Sequence, residues 1–304
     1  MNKKRVVLAG GSGFLGRALT RPLLAKDYEV VVLTRSPRER SDGVTEVAWN
    51  GRTLGDWVQS VEGAHAIVNL AGRSVNCRHT PEKVREINES RVNSVNAVAA
   101  AIHTVAHPPR VWVQAGSLAF YGDLADEWCE ESTPSGQGKA VETCRLWENA
   151  FKIVPLSHTR RVLLRIGLVL AHDGGALSVL GRLTRWFLGG TVGNGHQYVS
   201  WIHLADMNQM WMDAIERDEV IGVFNATGPN PVTNAEFMAE LRQALHRPWC
   251  PPAPLWAVRF GSWLMRTDPS LALTGRRCRP ARFLKLGFKF QFPELRNALK
   301  DIYG

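Results

Sequence analysis

Short apolar runs and helical periods alternate along the first two-thirds of the chain. The runs Arg5–Gly10 (RVVLAG), Glu29–Arg35 (EVVVLTR), His65–Gly72 (HAIVNLAG), Arg110–Ser117 (RVWVQAGS) and Arg161–Leu170 (RVLLRIGLVL) are nearly continuous rather than alternating. Strands buried on both faces carry such runs, so they predict parallel strands. Between them, Phe14–Lys26 and Pro81–Thr104 have amphipathic helical spacing. Strand, helix, strand in that order predicts right-handed crossovers and an α/β fold, a Rossmann-type doubly wound parallel sheet.

Past Leu170 the pattern changes. Asp173-Gly174-Gly175 and the glycine-rich stretch 189–195 are loop signals around a short helix. Leu204–Arg217 has helical spacing, and Gly222–Thr227 (GVFNAT) has the look of one more strand of the sheet. The remainder, with prolines clustered at Pro248–Pro254, is mostly helical and aromatic. The expected organisation is a nucleotide-binding domain over 1–170, continued by 204–228. A smaller, mostly helical substrate domain is expected from 171–203 and 229–304, capping the open end of the sheet.

Composition narrows the class. With 304 residues, 45% hydrophobic and 21% charged, the chain can bury a substantial core and is far from disordered. Its five cysteines are scattered and never form Cys-x-x-Cys, which argues against a zinc site or a disulfide framework and for a reducing compartment. The basic, apolar start imitates a secretion signal, but Gly10-Gly11-Ser12-Gly13 interrupts the apolar run. No stretch reaches the roughly eighteen apolar residues of a membrane span. The expectation is a cytoplasmic protein.

Net charge is +9, and from Pro251 onward ten Lys/Arg stand against three Asp/Glu. A solvated basic face and a site for an anionic small molecule both fit that excess. No nucleic-acid recognition motif accompanies the arginines, so nucleic acid is set aside.

The first chemistry lies in VVLAGGSGFLGRAL, where Gly10, Gly13 and Gly16 follow a strand and open a helix. Glycines there permit a tight turn, close approach of backbone to a pyrophosphate and packing of helix on strand. The helix N-terminus then offers free N–H groups to the phosphates. Gly10, Ser12, Gly13, Phe14, Leu15 and Gly16 are therefore expected to hold a dinucleotide. NAD sites place an acid near the end of the second strand to hold the ribose 2′-OH. This chain has Arg35-Ser36 there instead. A guanidinium can grip a 2′-phosphate at two points, so NADP(H) is the expected cofactor.

With AGGSGFLG, NLAG at 69–72, SLAFYGD at 117–123, YVSWIHLAD at 198–206 and RPARFLKLGFKFQFPELRNAL near the end, the chain resembles an extended short-chain dehydrogenase/reductase. It is most similar to the atypical "epimerase family" branch, which has its own small C-terminal domain, and the likeness spans essentially the entire chain. The resemblance implies that Leu70, Ala71 and Gly72 line the adenosine side and that Val169 makes a backbone contact near the nicotinamide. It also implies that Glu86 and Arg91 lie near the cofactor, although a solvated helix face accounts for those two equally well. Ser117 takes the place of the family's catalytic serine.

One expected element is missing. The family's catalytic Tyr-x-x-x-Lys would fall within GKAVETCRLWENAF, 138–151, near Ala140 and Cys144, and no tyrosine stands there. None of the four tyrosines, Tyr28, Tyr121, Tyr198 and Tyr303, is followed by lysine four places on. Other groups are candidates for moving a proton. Glu142 in a dry cleft would have a raised pKa and could act as an acid. His203, in a loop with Gln197 and Trp201 that the resemblance turns toward the pocket, could act near neutral pH. Tyr121 and Cys144 are weaker candidates, and each of these residues also has an ordinary structural reading. Two functions stay open: an NADP(H)-dependent oxidoreductase or epimerase with an unusual active site, and a non-catalytic NADP(H)-binding sensor or scaffold.

Overall fold

The computed structural model describes residues 3–304. Seven strands form one parallel sheet: β1 (Arg5–Ala9), β2 (Glu29–Thr34), β3 (Thr45–Ala48), β4 (Ala66–Asn69), β5 (Val111–Ser117), β6 (Arg160–Ile166) and β7 (Gly222–Ala226). Their order across the sheet is β7-β6-β5-β4-β1-β2-β3, with every pairing parallel. The chain starts in the middle, winds to one edge, returns and winds to the other. Such a reversal leaves a crevice at the carboxyl ends of the central strands, where ligands of this architecture bind.

The helices α1 (Phe14–Ala25), α2 (Pro81–Thr104) and α3 (Lys139–Lys152) connect these strands. α2 opens with Thr80, whose side chain accepts from the Lys83 amide, and with Pro81 at its first position. Both features favour a helix start. The core is continuous through the sheet: Val6, Val7, Leu8, Val30, Val32, Ile67, Val68, Val113 and Leu164 are all fully buried.

The run Arg161–Leu170 is two strands rather than one. It breaks at Gly167, whose amide donates to Ala226 O and where a Cβ would stand 2.6 Å from Ser200 O. Beyond the break, Leu168–Leu170 leaves the main sheet and pairs with Trp201–His203. The edge strand β3 had no counterpart among the expected strands, because its end residues Thr45 and Ala48 are exposed and only Glu46 and Val47 are half-buried.

A second apolar cluster joins α4 (Gly175–Arg185), α6 (Asn234–Ala244) and the last helix, Leu295–Tyr303, through Leu177, Phe237, Leu241, Ala298 and Leu299. α5 (Leu204–Glu216) packs on the sheet instead, through Met207, Met210 and Trp211. The later segment is not wholly separate from the sheet. Phe283 and Phe288 enter the sheet's core, Phe283 lying 4.8 Å from Phe224 between ring centroids. Helix α7 (Leu255–Leu264) is seated loosely: Ser262 is its one buried residue, while Trp256, Phe260 and Trp263 are exposed.

Candidate functional site

The carboxyl ends of β1, β2, β4 and β5 bring the expected cofactor residues to one edge. Ala9 pairs with Leu33 on one side and Asn69 on the other, and Asn69 pairs with Gln114. Gly10, Arg35, Leu70 and Ser117 therefore emerge side by side along that edge.

Each loop glycine has its own reason. Gly10 adopts a φ of +75°, and a Cβ there would stand 2.8 Å from the Ala71 Cα. A Cβ on Gly16 would stand 2.3 Å from Gly11 O, so the helix can approach the turn only without one. Gly13 differs: the nearest atom to an added Cβ is Gly10 O at 3.5 Å. The space beside Gly13 is thus not taken by protein. Gly13 is also the N-cap of α1 and supplies no capping side chain, so the first-turn amides are open to an anion. Ser12 is exposed, with its hydroxyl 3.4 Å from that of Thr34 and its carbonyl accepting from Arg17.

Phe14 and Leu15 are half-buried behind this loop. The Phe14 ring rests on two glycines that sequence reasoning treated only as a loop signal. Added Cβ atoms would meet it at 2.7 Å from Gly174 and 3.3 Å from Gly175. Gly175 in turn abuts Val169 O at 3.4 Å, so the structure brings Phe14 and Val169 together around Gly174-Gly175.

Arg35 and Ser36 are exposed just past β2, and Arg35 has no ion-pair partner among the described residues. The following loop is fixed by Glu46 on β3, which accepts from the Arg38 amide at 3.0 Å and from Arg40 at 3.2 Å. That carboxylate is already engaged with Arg38 and Arg40.

The 69–73 turn is held from below and from the side. Buried Asn69 donates to Ser94 Oγ and Gln114 Oε1, and its Oδ1 accepts from the Ala71 amide. Ser90 Oγ accepts from the Arg73 amide at 2.9 Å, and Arg91 Nη1 donates to Arg73 O at 2.9 Å. Glu86 pairs with the Arg73 side chain at 3.0 Å and with Lys83. Glu86 and Arg91 thus meet at Arg73, and Arg91 also lies against Gly72 and 4.9 Å above the Trp147 ring. Ser90, Asn69 and Arg73 were missed in the sequence. The asparagine of NLAG was the available signal, since a buried amide at a strand end must satisfy its polar atoms.

Ser117 ends β5 half-buried, and its Oγ accepts from the Ala119 amide at 3.1 Å. The hydroxyl proton remains free to point at a ligand. At the far end of the short turn that Ser117 opens, Arg276 donates from Nε to Gly122 O at 3.1 Å. Arg276 has no carboxylate partner among the described residues, whereas Arg279 pairs with Glu130 at 2.6 Å. Of the basic C-terminal segment, Arg276 is thus the guanidinium that reaches the far end of the turn opened by Ser117.

The proton-moving candidates are placed elsewhere. Glu142 sits in no dry cleft: its side chain is 60% exposed and paired with Arg145 at 2.7 Å. His203 is buried and structural. Its Nδ1 accepts from the Ala205 amide as the N-cap of α5, its Nε2 lies 3.3 Å from Asp301, and its ring lies tilted against Phe292, 4.0 Å between centroids. Burial holds its pKa below the usual histidine value, with Asp301 and Asp206 opposing. Gln197 donates to Val192 O and Ala272 O, and Trp201 is buried with its indole N–H on Asn230 O. The loop signal misled because a histidine's short reach to a helix start cannot be seen in one dimension.

Tyr121 is fully buried, donating to Asn225 Oδ1 and accepting from Arg165, and burial raises its pKa. Cys144 is buried in α3, and burial, then the nearby Glu148 charge, pushes its thiol up to about 12. Neither is poised to exchange a proton near neutrality.

A cavity of about 640 Å³ opens at the opposite, amino-terminal edge, between Arg110, Lys152, His158, Arg160 and Gly222. Its arginines are engaged by nearby protein groups: Arg160 donates to Ala214 O and Val220 O, Arg161 to Phe151 O and Val154 O, and Arg110 pairs with Asp218 at 3.6 Å. No helix is long and apolar enough to cross a membrane, among the described residues.

Comparisons with known proteins bear on the fold and the family. Residues 6–154 match the NAD dependent epimerase/dehydratase family, and residues 253–302 match a domain of unknown function, DUF1731. The chain is 34% identical to the epimerase family protein SDR39U1 of Homo sapiens over 98% of its length and 99% of that protein. It is 33% identical to the chloroplastic SDR39U1 homolog of Arabidopsis thaliana, over 98% of this chain and 86% of that protein. A crystal structure of human SDR39U1 (isoform 2) with NADPH superposes with a TM-score of 0.88 at 33% identity, covering 98% of this chain and 99% of that one. On its parallel sheet, its glycine loop and relatives of this identity along nearly its whole length, the chain belongs to the NAD dependent epimerase/dehydratase family, in the SDR39U1-like epimerase branch.

Proposed function

We propose that the chain binds NADP(H) along the carboxyl edge of its sheet and serves as an oxidoreductase or epimerase for a small anionic substrate, without a tyrosine–lysine dyad. The observation that carries this reading is the pair Gly13 and Arg35. One leaves room for a pyrophosphate at an uncapped helix start. The other offers an unpaired guanidinium where a 2′-phosphate would lie. The human relative crystallised with NADPH supports the same cofactor.

In this reading Ser12, Gly13 and the first turn of α1 hold the pyrophosphate, while Arg35 and Ser36 hold the 2′-phosphate. Leu70, Ala71 and Gly72 flank the adenosine, in a turn whose position Glu86, Ser90 and Arg91 fix through Arg73. Phe14 and Val169 bound the nicotinamide side. Bound there, the cofactor supplies a hydride donor or acceptor. Ser117 donates a hydrogen bond to a substrate oxygen, and Arg276 balances its negative charge. A hydroxyl and a guanidinium stabilise developing charge but are poor proton donors at neutral pH. The substrates that suit this site are those whose negative charge is stabilised in place and protonated by water, such as conjugated carbonyl acids.

A second reading, a non-catalytic NADP(H) sensor or scaffold, is favoured by one observation: His203 and Glu142 are both engaged away from Ser117. NADPH oxidation measured across simple ketones, sugar nucleotides and conjugated carbonyl acids separates the two. Turnover of the acids that Ser117→Ala and Arg276→Ala abolish supports the enzyme. NADPH binding with no turnover of any class supports the sensor.

A further inference from the structure

Two cysteines that lie far apart in sequence face each other in the fold. Cys129 ends the two-residue strand Trp128–Cys129, and Cys278 ends Arg277–Cys278. The two strands run parallel, with Cys278 directly opposite Cys129. Adjacent strands stand about 4.8 Å apart, within the Cα separation of 4.4–6.8 Å that a disulfide needs. Both side chains are fully buried, both thiols are free, and both belong to one small cluster with Leu118 and Tyr121.

We propose that Cys129 and Cys278 are a disulfide-forming pair, oxidised by a small-molecule disulfide, whose bond pins the arginine-rich strap 274–282 to the loop beyond β5. The strap carries Arg276 onto Gly122 O and holds its neighbours by Arg279 to Glu130 and by Arg277 stacked 4.1 Å from the Trp128 ring. The covalent link therefore fixes the guanidinium that borders the Ser117 turn. The pairing itself stands on the register and holds whether or not Arg276 binds a substrate.

The chemistry balances with one oxidant. The ladder is two residues long, so local opening exposes the sulfur of Cys129 at small cost. Cys129 is the more acidic partner: the Cys278 thiol beside it lowers its pKa, whereas burial raises that of Cys278. As a thiolate it attacks one sulfur of glutathione disulfide, and one glutathione leaves as thiolate and takes up a proton. When the ladder closes, Cys278 loses its proton and attacks the Cys129 sulfur, releasing the second glutathione. Two protein thiols are oxidised and one small disulfide is reduced to two thiols.

The test is incubation of the folded protein with glutathione disulfide, followed by denaturation, alkylation and mass mapping. The five alkylatable thiols should fall to three, with a peptide linking Cys129 to Cys278 and a mass loss of two hydrogen atoms. Cys278→Ser should retain one glutathione on Cys129, having no resolving thiol. Cys77→Ser and Cys250→Ser should leave the cross-link unchanged. Five thiols remaining after exhaustive oxidation, or a link that involves Cys77 or Cys250 in place of this pair, would overturn the assignment.

Discussion

Glu148 on α3 and Arg165 on β6 meet in a two-point ion pair, Nε to Oε1 and Nη2 to Oε2 both at 2.9 Å, with the two side chains almost wholly buried. The same guanidinium stacks 3.6 Å from the Phe120 ring and donates to Tyr121, whose hydroxyl reaches Asn225. This network occupies the interior next to the helix in which the resemblance would have placed a phenol and an ammonium. Breaking a buried pair from one side strands a charge, which costs about 3–5 kcal/mol. Glu148→Ala should therefore destabilise by that amount in urea unfolding. Tyr121→Phe, which removes one hydroxyl but no charge, should cost about 1–3 kcal/mol. A Glu148→Ala loss no larger than that of Tyr121→Phe would contradict the reading.

Two of the loop glycines, Gly16 and Gly13, should separate folding from binding. Gly16→Val should unfold the domain, because its Cβ would collide with Gly11 O. Gly13→Val should fold normally and lose NADPH, because its side chain would fill the space left for the pyrophosphate. Circular dichroism melts beside NADPH fluorescence titrations check both halves. A Gly13→Val protein that still binds NADPH as tightly as its parent would place the phosphates elsewhere.

Arg35 should set the choice of nucleotide. A lost charge-assisted hydrogen bond costs about 1.5–3 kcal/mol, so Arg35→Ala should weaken NADPH by roughly ten- to a hundredfold and leave NADH nearly unchanged. Equal affinity of the parent for both nucleotides would remove this role.

Thiol reactivity should sort by burial. At pH 8, iodoacetamide should label the partly exposed Cys77 and Cys250 in the native, reduced protein and spare Cys144, whose thiol burial holds at about 12. Rapid labelling of Cys144 would reopen it as a reactive group.

His203 should make the fold sensitive to acid. Its pKa is lower in the folded state than in the unfolded chain, so the unfolded chain binds more protons as pH falls below the ordinary value of about 6.5. Its contribution is fully present above that value and is lost on acidification. His65, also lowered by burial and by Lys4, adds in the same direction. His203→Asn keeps a capping side chain for α5 and removes the titration. The fall in Tm between pH 7 and pH 5 should therefore be shallower in His203→Asn than in the parent. Identical slopes would mean that His203 is not the titrating group.

What the chain discloses on its own is whatever depends on neighbours in sequence. Apolar runs along β1, β2, β4 and β5 mark strands because burial on both faces demands continuity, and Pro81–Thr104 is a helix with the expected bounds because its cap and period are local. The glycine loop and Arg35 are legible for the same reason. So is the absence of tyrosine from α3, which is a matter of composition. The tertiary structure alone decides which way a side chain faces and what it meets. His203 read as an acid–base candidate until its ring came to lie on Phe292 and its Nδ1 on the Ala205 amide. Glu142 read as a cleft acid until the helix turned it to solvent beside Arg145. Gly174-Gly175 become the seat of Phe14, Arg73 the meeting point of Ser90, Arg91 and Glu86, and Cys278 the neighbour of Cys129 only after the crossovers close. Periodicity records how often a residue faces the core, and partnership across a sheet depends on long-range register, which no local pattern carries.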